Sequence, residues 1–163
     1  MGIRAVFGLS ILMSFVAFGL VTRVFIWPRL QVMARDDALL PLVVPHTFRF
    51  IGLSFLVPGV VSPALPSAFA APAAYGDLVA TILAIAASLA LVRRAPVAIA
   101  LVWVFNVWGA ADFLFAYYQG LFTVQLDATM LGAAFYIPTV FVPAALITHG
   151  LIFWLLLRPG ILR

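Results

Sequence analysis

The apolar run AVFGLSILMSFVAFGLVTRVFIW, residues 5–27, decides the fold class of this 163-residue chain. A helix needs about 20 apolar residues to cross the hydrocarbon core of a bilayer, and the only charged residue in this run is Arg23, near its end. The run is too long for the apolar part of a signal peptide, and no A-x-A cleavage site follows it. We therefore predict that residues 5–27 are a first membrane span.

The composition of the whole chain leads to the same class of protein. Hydrophobic residues make up 66% of the sequence and charged residues only 9%, whereas a soluble domain is about half apolar and a quarter charged. The chain has no Cys, which excludes disulfides and thiolate-held metal clusters. Its net charge of +4 comes from scattered Arg residues, which is typical of contact with membrane lipid and not of nucleic-acid binding.

Four more apolar runs predict an all-α fold, a polytopic five-helix transmembrane bundle in a single domain, 1–163. The segment LLPLVVPH before the second run contains two prolines, and we expect it to lie at the membrane interface. The predicted spans are about 5–27, 47–61, 78–92, 97–118 and 134–157.

The segment SPALPSAFAAPAAYGD, residues 62–77, is predicted to be irregular, because it contains three prolines. It is nevertheless too apolar for an ordinary loop. Irregular backbone at membrane depth is tolerated against protein or a water-filled cavity. We therefore expect an outer lid or shallow re-entrant loop, with a plain interfacial loop as the alternative.

The arginines predict the orientation of the chain. In the five-span arrangement Arg4 flanks one side of the membrane, and eight arginines flank the other. Under the positive-inside rule the eight mark the cytoplasm, so the N-terminus is expected outside and the C-terminus inside. The eight are Arg23, Arg29, Arg35, Arg49, Arg93, Arg94, Arg158 and Arg163.

Polar residues inside the spans are the candidate ligand-binding site, because a charged group in hydrocarbon is costly and usually functional. At about 1.5 Å per residue, Asn106 and His149 share one depth, and Tyr136 and Asp112 share another. Asn106 and Asp112 are about 120° apart around their helix, so two different helices are expected to contact them. The candidates are Asp112, Asn106, His149, Asp77, Tyr136 and Arg49.

Each candidate also has a structural interpretation. Asn106 and His149 are equally suited to hydrogen bonds between helices, Asp77 to capping a helix at its start, and Arg49 to reaching the interface from a span end. Haem ligation by His46 and His149 is conceivable, but the sequence favours no cofactor and no metal. The stripe Ala80, Ala84 and Ser88 suits close helix packing, either inside the bundle or between two copies of the chain.

Three stretches resemble a family of small uncharacterised bacterial inner-membrane proteins. They are LPSAFAAPAAYGD with the preceding FRFIGLSFL, then NVWGAAD with the spacing N-x-x-G-x-x-D, and IPTVFVPAALITH. In that family Trp and Leu stand where this chain has Phe105 and Phe113, and Gly-x stands where it has Ala74-Tyr75. The resemblance implies a bacterial inner-membrane location and a shared pattern that includes Asp77, Asn106, Asp112 and His149. It implies no activity.

Three functions remain open from the sequence. The first is a polar-lined intramembrane pocket that binds or moves a small molecule or a proton, with Asp112 as the charged anchor. The second is an intramembrane enzyme on a lipid or lipophilic substrate with His149 and Asp112 as acid and base, although an axial gap of roughly 8 Å argues against their direct contact. The third is a non-catalytic partner subunit that forms oligomers through Ala80, Ala84 and Ser88.

Overall fold

Five long helices build the structure, a computed structural model that describes residues 2–158. Each is long and apolar enough to cross a membrane, which confirms the predicted all-α architecture with five such helices. A short 3₁₀ helix, Ala128–Phe135, lies between the last two. The five are α1 (Ile3–Val32), α2 (Arg35–Leu56), α3 (Ser67–Val92), α4 (Ala98–Thr123) and α5 (Ile137–Leu157).

Helix α1 is the outermost helix and packs against α5. It continues past its predicted end at 27, through Pro28, to Val32. The backbone takes a π turn over Thr22–Ile26 just before Pro28, where an interior proline otherwise interrupts the regular hydrogen bonds. None of the residues Ile3–Val21 is buried in the protein, so this stretch presents an apolar surface to its surroundings.

Helix α2 differs from the predicted span 47–61, because the proline-containing lead-in belongs to the helix. It is α-helical from Arg35 to Val43 and then a 3₁₀ helix over Val44–Leu56. A 3₁₀ helix has three residues per turn and is seldom this long. Its buried residues therefore fall into a single row with a spacing of three: His46, Arg49, Gly52 and Phe55.

Helix α3 corrects the prediction of an irregular 62–77 lid, since it begins at Ser67 and includes Pro72. Pro72 has no N–H to donate to the carbonyl of Ala68, four residues earlier. The side-chain amide of Gln119 on α4 donates to that carbonyl instead, at 2.6 Å. Because a side chain from another helix replaces the missing donor, the helix continues through the proline. Asp77 consequently lies inside α3 and not at its start.

The connection between α4 and α5 packs over the same end of the bundle as Arg4. Asp127 accepts from the N–H of Thr129 at 3.0 Å and so begins the short 3₁₀ helix. The same N–H lowers the pKa of Asp127 below its ordinary value. Gly132, at φ +50°, lies so close to the carbonyl of Val60 that a side chain there would overlap it. The connection 57–66 is thereby held against this helix.

The interior has two apolar clusters with polar residues between them. One cluster lies toward the 33–34 and 93–97 connections and includes Leu39, Phe105 and Leu155. The other lies toward the Arg4 end and includes Phe69 and Phe113. On each of α2 to α5, buried polar residues fall between members of the two clusters and meet near the middle of the bundle; they are His46, Arg49, Asp77, Thr81, Asn106 and His149.

The small-residue stripe of α3 is used inside the chain. Ala80 and Ala84 are fully buried, and Ser88 is 9% exposed. Ala84 packs in the apolar cluster with residues of α2 and α4, such as Leu39 and Val102. Close packing inside the bundle therefore covers the surface of this stripe, and contact between two copies of the chain stays a prediction.

Candidate functional site

Arg49 is the centre of the buried polar residues, and its side chain is inaccessible to solvent. Its Nε donates to Asp77 at 2.7 Å and its Nη2 to Asp112 at 2.6 Å. Its Nη1 donates to the carbonyl of Gly109 at 3.0 Å, and its guanidinium carbon lies 3.5 Å from the centre of the Phe113 ring. Arg49 therefore joins α2 to α3 and α4. The interpretation of Arg49 as a span-end residue that reaches the interface is wrong.

Each of the two carboxylates uses one oxygen for Arg49. Asp77 accepts through Oδ1 and Asp112 through Oδ2. Among the described residues no hydrogen bond reaches Asp77 Oδ2 or Asp112 Oδ1. Both atoms keep some accessible surface, because neither is among the sealed and unpaired side-chain atoms. The side chain of Asp112 is 12% exposed and that of Asp77 only 6%.

His149 and Asn106 form the deeper part of the site. An arginine can only donate, so His149 Nε2, 3.3 Å from Arg49 Nη1, is an acceptor. The proton is then assigned to Nδ1, which donates to the side-chain oxygen of Asn106 at 2.7 Å. The amide of Asn106 in turn donates to the carbonyl of His149 at 3.2 Å. This pattern leaves His149 neutral, and it fixes the orientation of both side chains.

His46 packs directly against His149, with ring centroids 4.3 Å apart. Thr148 donates its hydroxyl to the carbonyl of Ala145, so His46 Nε2 donates to Thr148 Oγ1, at 2.8 Å. His46 Nδ1 is buried and has no hydrogen-bond partner among residues 2–158. Because the two rings touch, this arrangement leaves no space for an iron and a porphyrin between them, and haem ligation by His46 and His149 stays a prediction. Across residues 2–158 no three His, Cys, Asp or Glu side chains form a metal-binding group.

Three glycines make room for these contacts. A side chain on Gly52 would overlap the carboxylate of Asp77, and one on Gly76 would overlap that of Asp112. A side chain on Gly109 would come within 2.7 Å of Arg49 Nη1. Each glycine lies on a different helix, so the close approach of α2, α3 and α4 depends on all three. We call Arg49, Asp77, Asp112, His149 and Asn106 the Arg49 cluster.

A cavity of about 610 Å³ extends from the Arg49 cluster toward the Arg4 end of the bundle. Asp77 and Asp112 line it at the cluster, and Arg4 and Gln125 line it at the opposite end. Most of its wall is apolar. The aromatic lining residues are Phe7, Phe55, Phe69, Phe113 and Tyr117.

The site lies wholly within a stretch that a family model matches. The model is that of the domain of unknown function DUF8737, and it covers residues 6–157. The chain belongs to this family. No curated protein and no solved structure matches the chain. Since residues 6–157 include the whole Arg49 cluster and all five helices except the first three residues of α1, the family domain is the bundle itself.

The structure brings together five of the six predicted site residues. Asn106 and His149 are in contact, as their shared depth predicted, and Asn106 and Asp112 do contact different helices. Asp112 and His149 do not touch directly, which agrees with the predicted gap, and Arg49 bridges them. Tyr136 is the exception: it is 67% exposed and lies outside the cavity. The ligand-binding role of these residues stays a prediction.

The central position of Arg49 and the packing of Gly52 and Gly76 against the carboxylates were not predicted from the sequence. The available signal was the spacing of three between His46, Arg49, Gly52 and Phe55, which fits a 3₁₀ helix with one buried row. It was missed because the second span was placed too late in the sequence. Arg49 then fell at the end of a helix instead of near the middle of the bundle.

Proposed function

We propose that this chain is an integral membrane protein that binds a small amphipathic molecule in the cavity beside Asp77 and Asp112. The observation that carries the proposal is an apolar cavity with two carboxylates at one end. Its volume, about 610 Å³, falls within the range of small-molecule sites, and such sites combine apolar walls with a few placed polar groups. The apolar part of the ligand lies along the aromatic wall, and its polar group meets the carboxylates.

The placement in the membrane is part of the same proposal. The connections 33–34 and 93–97 carry or adjoin Arg35, Arg93 and Arg94, while Arg4 lies at the other end. The positive-inside rule therefore puts the cavity opening on the outer side. Residue Arg49 no longer counts as a flanking charge, and Arg163 lies outside the described residues. The resemblance to bacterial inner-membrane proteins supports that membrane as the location.

The geometry favours binding over open conduction. Below the carboxylates the bundle is closed by Arg49, by the adjoining rings of His46 and His149, and by Phe105, all of which are buried. A ligand that enters from the Arg4 end stops at this layer. Movement across the membrane requires the Arg49 cluster to rearrange, so binding is the function that this arrangement supports directly.

An acid–base enzyme is less well supported. His149 does not line the cavity, and its two ring nitrogens are already engaged with Arg49 and Asn106. A general acid or base must reach the reacting atom directly or through one water. Asp112 meets that condition for a molecule in the cavity, and His149 does not.

Native mass spectrometry of the purified protein tests the proposal, with decanol and decylammonium as probes. We expect at least one of the two to form a saturable one-to-one complex. Substituting Ala116→Trp fills the cavity, which Ala116 lines, and should remove that complex. Substituting Val107→Trp adds the same side chain to an exposed position on the same helix and should leave binding intact. Equal binding to both variants, or no saturable binding at all, contradicts the proposal.

A further inference from the structure

The charges of the Arg49 cluster do not balance when both carboxylates are ionised. One guanidinium faces two carboxylates, Asp77 and Asp112. His149 accepts a hydrogen bond from Arg49 and is neutral. The other charged residue of the cavity, Arg4, is exposed at the opposite end. The carboxylate end of the cavity therefore has a surplus of one negative charge.

A surplus charge is costly at this place. Arg49 has no accessible side-chain surface, and Asp77 has almost none, so water screens the pair poorly. An uncompensated charge inside a membrane protein is strongly unfavourable. Two species neutralise it: a proton on one carboxylate, or a cation in the cavity. If a bound cation replaces the proton, the empty site and the occupied site are both neutral.

The free carboxylate oxygens indicate which kind of cation fits. One oxygen of each carboxylate is bonded to Arg49. The other oxygen of each carboxylate, Asp77 Oδ2 and Asp112 Oδ1, accepts no hydrogen bond from residues 2–158. These two oxygens pack beside Gly52 and Gly76 and keep some accessible surface. A guanidinium group pairs best with both oxygens of one carboxylate. An ammonium group is a compact charge with three donors that turn freely, so it matches two separate single oxygens.

The walls of the cavity indicate the chemical character of the rest of the ligand. They are apolar and carry Phe7, Phe55, Phe69 and Phe113. A bare inorganic cation leaves this surface unused, whereas an alkyl or aryl substituent covers it and gains from the burial of apolar area. The two carboxylates therefore favour a cationic head group, and the apolar walls favour an apolar substituent on the same molecule.

We propose that the cavity binds a protonated primary amine with an apolar substituent, and that its binding releases one proton from the Asp77–Asp112 pair. The inference rests on the proposed function of the cavity. In the empty site one carboxyl group holds the proton. When the ammonium group binds, that proton leaves through the cavity to bulk water, and both carboxylates accept hydrogen bonds from the ammonium group and from Arg49.

The test compares decylammonium with decanol, which have the same chain and differ in the charge of the head group. We expect the wild-type protein to prefer decylammonium by about 10- to 150-fold, the range of a hydrogen bond to a charged group. Calorimetry at neutral pH in two buffers of different ionisation enthalpy should show about one proton released per decylammonium bound. Decanol should release none.

The variant Asp112→Asn provides the control, because it keeps the shape of the side chain and removes the surplus charge. We expect it to keep decanol binding, to lose most of the preference for decylammonium, and to release no proton. Asp77→Asn is the second variant if the first does not purify as a folded protein. Equal binding of both probes to the wild-type cavity overturns the inference and leaves the proposed function standing. If the wild-type protein shows no probe binding that Ala116→Trp removes, both the inference and the proposed function are overturned.

Discussion

At the scale of single residues, the arrangement depends on one arginine and on the glycines around it. Arg49 uses four of its five N–H donors, on Asp77, Asp112, Gly109 and His149. A lysine has three donors from a single atom and cannot span these positions. The carboxylates reach Arg49 only because Gly52 and Gly76 have no side chain in the way. The ion pairs at this site therefore depend both on the donors of Arg49 and on the space left by Gly52 and Gly76.

The glycines give a sharp prediction. In Gly76→Ala the new methyl group overlaps the Asp112 carboxylate, so the contact between Asp112 and Arg49 must shift. We expect the free energy of unfolding in detergent to fall by about 1–3 kcal/mol, the usual cost of overpacking. Gly150→Ala is the matched control, because a methyl group there meets no atom within 4 Å, and it should change little. If the two variants are equally stable, the close packing at Gly76 is not needed.

At the scale of the helices, prolines are accommodated by partners from elsewhere in the chain. Gln119 on α4 supplies the donor that Pro72 withholds from the carbonyl of Ala68. Tyr117 on the same helix donates to the carbonyl of Pro138, at 2.7 Å, within the π turn that begins α5. The wall of the cavity at α4 thus also holds the neighbouring helices in place.

A double-mutant cycle tests the contact between Gln119 and Ala68. Gln119→Leu removes the donor, and we expect it to lower the free energy of unfolding by about 0.5–1.5 kcal/mol. In a Pro72→Ala background the backbone N–H of residue 72 replaces that donor. The same Gln119→Leu substitution should then cost close to nothing. A cost that is independent of Pro72 means that Gln119 stabilises the protein through some other contact.

At the scale of the whole molecule, the five helices produce a bundle that is closed at one end and hollow at the other. The apolar cluster with Leu39, Phe105 and Leu155 fills the interior toward the 33–34 and 93–97 connections. Toward Arg4 the helices enclose the 610 Å³ cavity. The Arg49 cluster separates the two parts, so a molecule at the inner end of the cavity contacts Asp77 and Asp112, two members of a cluster that links four helices by charge and hydrogen bonds.

Cysteine accessibility checks this organisation, since the chain contains no Cys and needs no background substitutions. Ala116→Cys, in the cavity wall, should react with a membrane-impermeant thiol reagent added to the outer side of intact cells. Ala87→Cys, at a fully buried position, should react at least about 100-fold more slowly, as expected for a site that opens only by unfolding. Reaction of Ala116→Cys only from the cytoplasmic side reverses the proposed orientation.

The sequence alone determined the all-α class and the presence of five helices long and apolar enough to cross a membrane, because the hydrophobic runs are of membrane length and carry few charges. It also predicted that Asn106 and Asp112 contact different helices and that Asn106 lies at the depth of His149, since helical rise and rotation give relative depth and direction. Predictions from local sequence patterns were wrong where a residue far along the chain contacts the segment and changes its structure. Helix α3 continues through Pro72 because Gln119, far along the chain, donates to Ala68. Arg49 is central because α2 becomes a 3₁₀ helix whose buried row meets two carboxylates from other helices. Only the tertiary structure decided these features, because each depends on contacts between residues that no local pattern relates.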